Sequence, residues 1–485
     1  MSGVVVIGAG VGGLAVAARL AAAGHRVTVC EQAPVVGGKL GVLHRDGFRF
    51  DTGPSLLTLP HVFADLFAAT GTPLADVLDL VPLDPIVRHR FPDGTVLDSC
   101  RDPVEFAARI ADGFGPVAAR QWRAFATRAE RIWDASHGPF LESALDPAAL
   151  LRQARHTATI APWRSLRALA RSYLDDPRLR MMVDRYATYS GSDPRRAPAA
   201  LAAVPHAELA FGGWYIRGGL RRLADALAER CQSLGVELRT GTEVVRVTAD
   251  RHRATGVELA DGTVLAAGTI VADADAEHLY TDLIRVPGEA RRLRRAPRSL
   301  SGFVLLLGLR GRTPGLEHHT VDFPADYDAE FDAVFGDPAR PVADPALYLS
   351  VPPDAAPAGH EAVFLLVNAA RQGTGPGTVD WRAPGLADWY AGHLLDRLAA
   401  RGLDVRDRVL FREVVSPADL ETRTRSVGGA IYGTSSNGAR AAFRRPANRS
   451  PVPGLFLVGG SSHPGGGLPL VALSAEITAG LIGPA

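Results

Sequence analysis

Four apolar residues, Val4-Val5-Val6-Ile7, run straight into Gly8-Ala9-Gly10-Val11-Gly12-Gly13, and an apolar-periodic stretch from Leu14 to Ala23 follows. After Gly24 a second apolar run, Val27-Thr28-Val29-Cys30, ends at the acid Glu31. Strand, glycine turn, helix, strand and acid in this order make one βαβ unit, which commits the N-terminus to a parallel sheet. In such a unit Gly8 permits the tight turn, Gly10 lets the backbone approach a pyrophosphate, and Gly13 allows the helix to pack closely on the strand. Gly12 belongs to the same glycine run at the helix start, where N–H groups face the phosphates. Glu31, eighteen residues beyond Gly13, is placed to accept from a ribose hydroxyl.

Nicotinamide and flavin dinucleotides both use this unit, so the rest of the chain must decide between them. Gly37-Gly38-Lys39 follows the acid after a short loop, and Asp46-Gly47-Phe48-Arg49-Phe50-Asp51-Thr52-Gly53-Pro54-Ser55 reads as a strand broken at Gly53-Pro54. Nicotinamide enzymes have no need of this extension. In flavoproteins of the glutathione-reductase type such a segment runs along the diphosphate toward the isoalloxazine, which favours FAD.

The far end points the same way. Leu455-Phe456-Leu457-Val458 is a short apolar strand of the kind buried in a parallel sheet. A glycine-rich loop, Gly459 and Gly460 through Gly467, then leads into a helical pattern at Leu470, Leu473, Ile477 and Leu481. A helix that starts beside this loop would set a positive dipole end by the flavin pyrimidine edge and favour the reduced cofactor. Between the two ends, 235–238, 242–247, 256–262 and 269–274 read as consecutive strands expected to join the same sheet.

At 485 residues the chain exceeds what one core usually holds, so two domains are expected. We read an α/β fold: a glutathione-reductase-type Rossmann FAD-binding domain from 1–80, 205–300 and 415–485, with an inserted α+β substrate domain. The insertions are 81–204, arginine- and alanine-rich with helical spacing, and 301–414; together they give a substrate-binding domain with a helical lid. A formal charge of +1 offers no general attraction to nucleic acid, and no nucleic-acid-binding motif is present. Cys30, Cys100 and Cys231 are isolated and odd in number, which fits a reducing compartment and argues against disulfides or a metal site. With no charged leader and no run of about eighteen uncharged apolar residues, the expected location is cytoplasmic. Lys39 is the sole lysine, which removes most candidates for Schiff-base chemistry.

Several longer stretches together resemble one family: Asp46 through Pro60, Gly213-Trp214-Tyr215-Ile216-Arg217-Gly218-Gly219, His318-His319 with Asp326-Tyr327 and Glu330-Phe331, and His463 through Pro469. They are similar to the bacterial and fungal type of phytoene desaturase, among the carotenoid oxidoreductases of the amine-oxidase-like flavoproteins, and the likeness covers nearly the whole chain. It implies non-covalent FAD, a membrane-dissolved C30–C40 polyene, hydride removal that extends conjugation, and a quinone or oxygen as acceptor. By the same likeness the cofactor contacts fall on Gly8, Gly10, Gly13, Glu31, Gly38, Lys39 and Gly53, on the Val244 backbone against adenine, and on Gly460 and Leu468 near the flavin. Gly12, Pro54, Ser55, Gly459 and Gly467, on the same segments, complete the candidate set. The segment Gly429–Asn437 is at least as similar to carotenoid 3,4-desaturases and terminal-methyl carotenoid oxygenases. An aspartate followed three residues on by arginine, catalytic in some relatives, finds Asp146 here but Ala149 in the second place.

An allylic CH2 is no acid in water, so the flavin must supply the chemistry, accepting a hydride at N5 while a neighbouring proton leaves. His463, on the loop expected beside the flavin, is either the proton acceptor or a histidine that satisfies loop backbone. An insoluble substrate requires access to a bilayer, and peripheral association with the inner face of the cell membrane is expected. Trp163, Leu166, Ala170, Tyr173 and Leu174 form one helical stripe with Arg164, Arg167 and Arg171 alongside, which suits either an anionic membrane surface or a lid packed on its own domain. An amine oxidase shares the fold but commonly places a lysine near N5, whereas Lys39 lies in the diphosphate-side motif. A non-enzymatic carotenoid carrier would lack FAD, against the intact glycine framework.

Overall fold

The computed structural model describes residues 3–145 and 156–485; Asp146 and Ala149 lie outside them. A five-stranded sheet is built from the strands Leu455–Leu457, Thr269–Ala272, Val4–Ile7, Val27–Cys30 and Glu237–Arg239, in that spatial order. All its pairings are parallel, with Val4 opposite both Thr269 and Val27. A parallel sheet is covered on both faces, which is why Val4, Val5, Val6 and Ile7 are all buried. The helix Val11–Ala22 crosses back between the first two strands and packs against helices Arg221–Ser233 and Leu468–Ile482. Chain ends more than four hundred residues apart in sequence thus meet on one sheet.

The middle strands behave differently from the sequence-based expectation. Only Glu237–Arg239 and Thr269–Ala272 join the parallel sheet, while Val244–Ala249, Ala254–Leu259 and Val264–Ala266 form a separate three-stranded antiparallel sheet. Their sequence carries the reason. Val244 and Val247 are buried but Arg246 is exposed, and a strand with one wet face cannot sit inside a doubly covered sheet.

A second large sheet has seven strands in the order Val409–Val415, Ser301–Arg310, His360–Ala369, Leu347–Ser350, His319–Asp322, Arg88–Arg90 and Val96–Asp98. Its pairings are antiparallel except for His319–Asp322 beside Arg88–Arg90. Alternation along Ser301–Arg310 sends Phe303, Leu305, Leu307 and Leu309 to one face, where they pack with Tyr390, Leu394 and Leu398 of the helix Leu386–Ala400. Val304 and Leu306 point the other way, into the core shared with the helices of 103–211. Those helices begin where the sequence caps them: Asp102 accepts from the N–H groups of Val104 and Glu105 ahead of Pro103, and Asp176 does the same for Arg178 ahead of Pro177.

Candidate cofactor and active site

Carboxyl ends of parallel strands are where an open α/β sheet presents ligands, and the glycine segments converge there. A Cβ built on Gly12 would stand 3.1 Å from the Cα of Gly459, and one on Gly38 would stand 3.2 Å from the Cα of Gly10. A Cβ on Gly53 would collide with the Lys39 carbonyl. Four segments far apart in sequence therefore close on one cradle with no room for side chains. With the N-terminus of the helix Val11–Ala22 opening into it, the cradle fits a dinucleotide diphosphate.

Lys39 adds positive charge there. Its Nζ donates to the carbonyls of Ile431 at 2.7 Å and Ala430 at 3.4 Å, tying the 37–53 segment to the C-terminal one. Burial holds its ammonium below the usual lysine range, against the pull of Asp275 and Asp273. Asp273, at the end of Thr269–Ala272, is a residue that motif reading missed. Its Oδ2 accepts from Gly13 N at 2.8 Å, and a Cβ on Gly10 would stand 2.5 Å from that oxygen. Desolvation pushes this partly buried carboxyl up to about 7, with the Gly13 N–H opposing, Glu31 adding and Lys39 opposing. The signal was present in sequence, as an acid one residue past a buried parallel strand, but no local motif marks it.

At the end of Val27–Cys30, Glu31 Oε2 accepts from Ala9 N at 2.7 Å and Oε1 from Ala33 N at 2.9 Å, so the acid braces the glycine turn directly. Thr242 N donates to the Glu31 carbonyl at 2.7 Å, which brings the start of Val244–Ala249 alongside. Val244 is buried at this edge.

The opposite side of the cradle is organised by Arg445. Its Nη1 donates to the carbonyls of Tyr432 at 2.9 Å and Gly460 at 2.8 Å, and its Nη2 to that of Thr434 at 2.8 Å. Burial lowers this guanidinium to about 10, against Asp275. Gly467 caps the helix Leu468–Ile482 with Leu468 buried as its first residue. The ring of Tyr432 lies against Gly466, where a Cβ would collide with it. Across the site, Ser55 Oγ meets Tyr348 Oη at 2.6 Å, so the segment after Gly53-Pro54 reaches the seven-stranded sheet.

His463 is buried in the same loop. Its ring Nε2 lies 2.8 Å from the Ser143 carbonyl. A carbonyl only accepts, so Nε2 carries the proton and the lone pair is on Nδ1. Burial holds the imidazole below its ordinary value, despite the Ser143 bond. The main chain of His463 is fixed as well, its carbonyl accepting from Asn448 Nδ2 at 2.9 Å and Ser474 Oγ at 2.8 Å.

The stripe at 163–174 faces inward. Leu166, Ala170 and Leu174 are fully buried, and the helix itself runs only Leu166–Arg171. Arg167, expected among surface arginines, is buried with Nε 2.8 Å from Asp184 and Nη1 2.5 Å from Asp328. Of this group Trp163, at 65% exposed, and Arg171 stay out. Among the described residues no helix is long and apolar enough to cross a membrane, and no cluster of three or more His, Cys, Asp or Glu is arranged to hold a metal.

Comparison with known proteins agrees with this geometry. Residues 11–351 match the family described as flavin containing amine oxidoreductase. The chain is 36% identical to hydroxyneurosporene desaturase of Cereibacter sphaeroides, over 98% of this chain and 96% of that protein. It is 34% identical to 4,4'-diapolycopene oxygenase of a Methylomonas species, again over 98% and 96%. Among solved structures, a triple mutant of putrescine oxidase superposes with a TM-score of 0.66 at 16% identity, over 99% of this chain and 98% of that one, which speaks to the fold alone. The chain belongs to the flavin-containing amine oxidoreductases, within their group of carotenoid desaturases and oxygenases.

Proposed function

We propose that this protein is an FAD-dependent carotenoid desaturase that removes a hydride and a proton from adjacent carbons of a C30–C40 polyene, adding a double bond to its conjugated run. The observation that carries the reading is likeness along essentially the whole chain to two carotenoid enzymes, so that cofactor and substrate regions are both covered. Bound FAD supplies the hydride acceptor. Gly8, Gly10, Gly12, Gly13, Gly38 and Lys39 hold the diphosphate, Glu31 the ribose, and the Val244 backbone lies at the adenine. Gly53, Pro54, Ser55, Gly459, Gly460, Gly467 and Leu468 border the flavin ring. Residues 1–80, 205–300 and 415–485 act as the cofactor domain, and 81–204 with 301–414 as the substrate domain. The protein's share of the chemistry is alignment of the polyene and exclusion of water.

A terminal-methyl oxygenase is the second reading, favoured by the likeness to 4,4'-diapolycopene oxygenase. The test for both is FAD-loaded protein on polyene-bearing liposomes with a quinone acceptor and no oxygen. New absorption bands with losses of two mass units per step support desaturation. Products that form only with oxygen and gain oxygen mass support the oxygenase. No product from phytoene but conversion of a more unsaturated polyene places the step later.

For delivery from a bilayer we propose peripheral docking through exposed apolar residues, Trp163 at 65% and Phe443 at 48% exposed, the latter beside Arg440 and Arg444. Liposome flotation that is unchanged by Trp163→Glu and by Phe443→Glu, each made alone and then together, would remove both contacts.

A further inference from the structure

Polar residues from four parts of the chain collect around Ser55, where the cofactor segment meets the seven-stranded sheet. Ser55 Oγ and Tyr348 Oη are 2.6 Å apart, and Tyr348 Oη stands 2.8 Å from His319 Nδ1, which holds the Ser55 hydroxyl in place. Ser55 also lines a small cavity together with Arg49, Asp51, Tyr215 and Ser350, and the rest of its wall is apolar. The cavity offers a water about 20 Å³, where roughly 10–15 Å³ holds one. Ser350 is 1% exposed, yet its Oγ has no hydrogen-bond partner, and neither has the buried Arg49 Nη1. Native interiors seldom leave such groups unmet, and a buried water is a common partner for them.

Tyr215 connects this cavity to solvent. Its ring is buried, and its Oη donates to Asp354 and accepts from Arg49 Nη2 at 3.1 Å. Asp354 is fixed in turn by Arg49 Nη2 at 3.1 Å and by Gly218 N at 2.9 Å, and its side chain is 33% exposed. The hydroxyls of Ser55 and Tyr215, and a water between them, can each take a proton on one side and give one up on the other, and Asp354 ends the run at the surface. The imidazoles beside it do not trap a proton. Burial takes His318, whose ring centre lies 4.6 Å from that of Tyr215, down to about 4 against the pull of Asp354, and it holds His319 well below its ordinary value.

We infer that this run is the exit path for the proton that desaturation releases, an assignment that rests on the desaturase reading above and on Ser55 bordering the flavin. Two C–H bonds break for each double bond formed. One hydrogen leaves with both electrons, so that the polyene is oxidised and FAD reduced to FADH⁻, and its neighbour leaves as a proton. That proton has to reach solvent from a site that excludes water. Loss of the hydride leaves a conjugated cation, beside which a C–H is a strong acid, so hydroxyls and one water suffice to carry the proton. It enters on Ser55 as the Ser55 hydroxyl proton passes to the cavity water, the water gives one to Tyr215, Tyr215 gives its own to Asp354, and Asp354 releases it to solvent. Every group ends as it began.

The test is a single turnover of FAD-loaded protein, without oxygen, on phytoene or a more unsaturated acyclic polyene in phosphatidylcholine liposomes, in weak buffer containing phenol red. Loss of the oxidised-flavin signal times the hydride, and the dye times the proton reaching solvent. In the unaltered protein the two should coincide, with a proton for each flavin reduced. In Tyr215→Phe and in Asp354→Asn, each checked for full flavin content, the proton should lag at least tenfold behind the flavin signal. A merely structural defect slows both signals together. Signals that stay together in a flavin-loaded variant, whatever their common rate, overturn the path and leave the desaturase reading standing. Flavin reduction with no proton reaching the dye in the unaltered protein overturns it as well. Failure of both polyenes to reduce the flavin overturns the reading of the reaction, and the exit path with it.

Discussion

Asp273 sits where the cofactor's diphosphate would draw on the same N–H groups, and replacing it with asparagine isolates what its charge does. The carboxyl titrates at about 7 rather than 3.8 because it is desolvated, a difference of about 4 kcal/mol against the ionised form. The folded chain holds this proton up to about pH 7 and the unfolded chain gives it up near 3.8, so its effect is a loss of stability as pH rises across that window. With its diphosphate in the proposed cradle, FAD would bring two negative charges to the same place. Its binding then takes up a proton above pH 7, and affinity should fall toward tenfold per pH unit, about thirtyfold between pH 6 and 8.5. Asparagine keeps the acceptor oxygen for Gly13 N and has no proton to lose, so the Asp273→Asn profile should be flat and its affinity at pH 8.5 at least tenfold above that of the unaltered protein. Titration of deflavinated protein with FAD, followed by quenching of flavin fluorescence, reads both directly. Equal pH slopes in the two would refute the assignment of the proton to Asp273.

The cradle itself is tested by Gly12→Val, whose side chain would enter the space between Asp273 and Gly459; the protein should purify without yellow colour, and normal FAD content would show that the cradle is placed elsewhere. His463→Ala should lower turnover at least tenfold if Nδ1 takes the proton, whereas near-normal turnover with FAD retained leaves His463 the role its Ser143 bond already gives it. Arg167→Met leaves Asp184 buried with its main partner gone, a loss of about 3 kcal/mol. Burial already raises Asp184 to about 6, and without Arg167 it rises further, so the carboxyl neutralises itself more readily at pH 5 than at pH 8. The fall in melting temperature should therefore be larger at pH 8, and equal falls at the two pH values would sink the argument.

What could be read from sequence was what neighbouring residues decide among themselves. Val4 to Glu31 contains its own turn, helix start and packing partners, so both elements and the acid fall where their spacing places them. The strands 244–266 were misplaced although their pattern was informative, since Arg246 and Glu258 alternate with buried residues, whereas Ile270, Val271 and Ala272 of the true parallel strand are buried in succession. At 163–174 the stripe was real but its partner was not local: Arg167 turns inward because Asp184 and Asp328, 17 and 161 residues later, reach it from other elements. An amphipathic face states that something covers it and never what. The same limit hid several buried polar residues. Arg185, Glu208 and His319 belong to no common motif, and only His319 lies in a stretch that carried the family likeness. Only the fold carries Arg185, Glu208 and His319 into the interior, where each keeps a buried polar atom without a hydrogen-bond partner. Cofactor sites are legible early because one local backbone shape grips a diphosphate in many chains; substrate sites are assembled from distant side chains, and their chemistry appears when the chain closes.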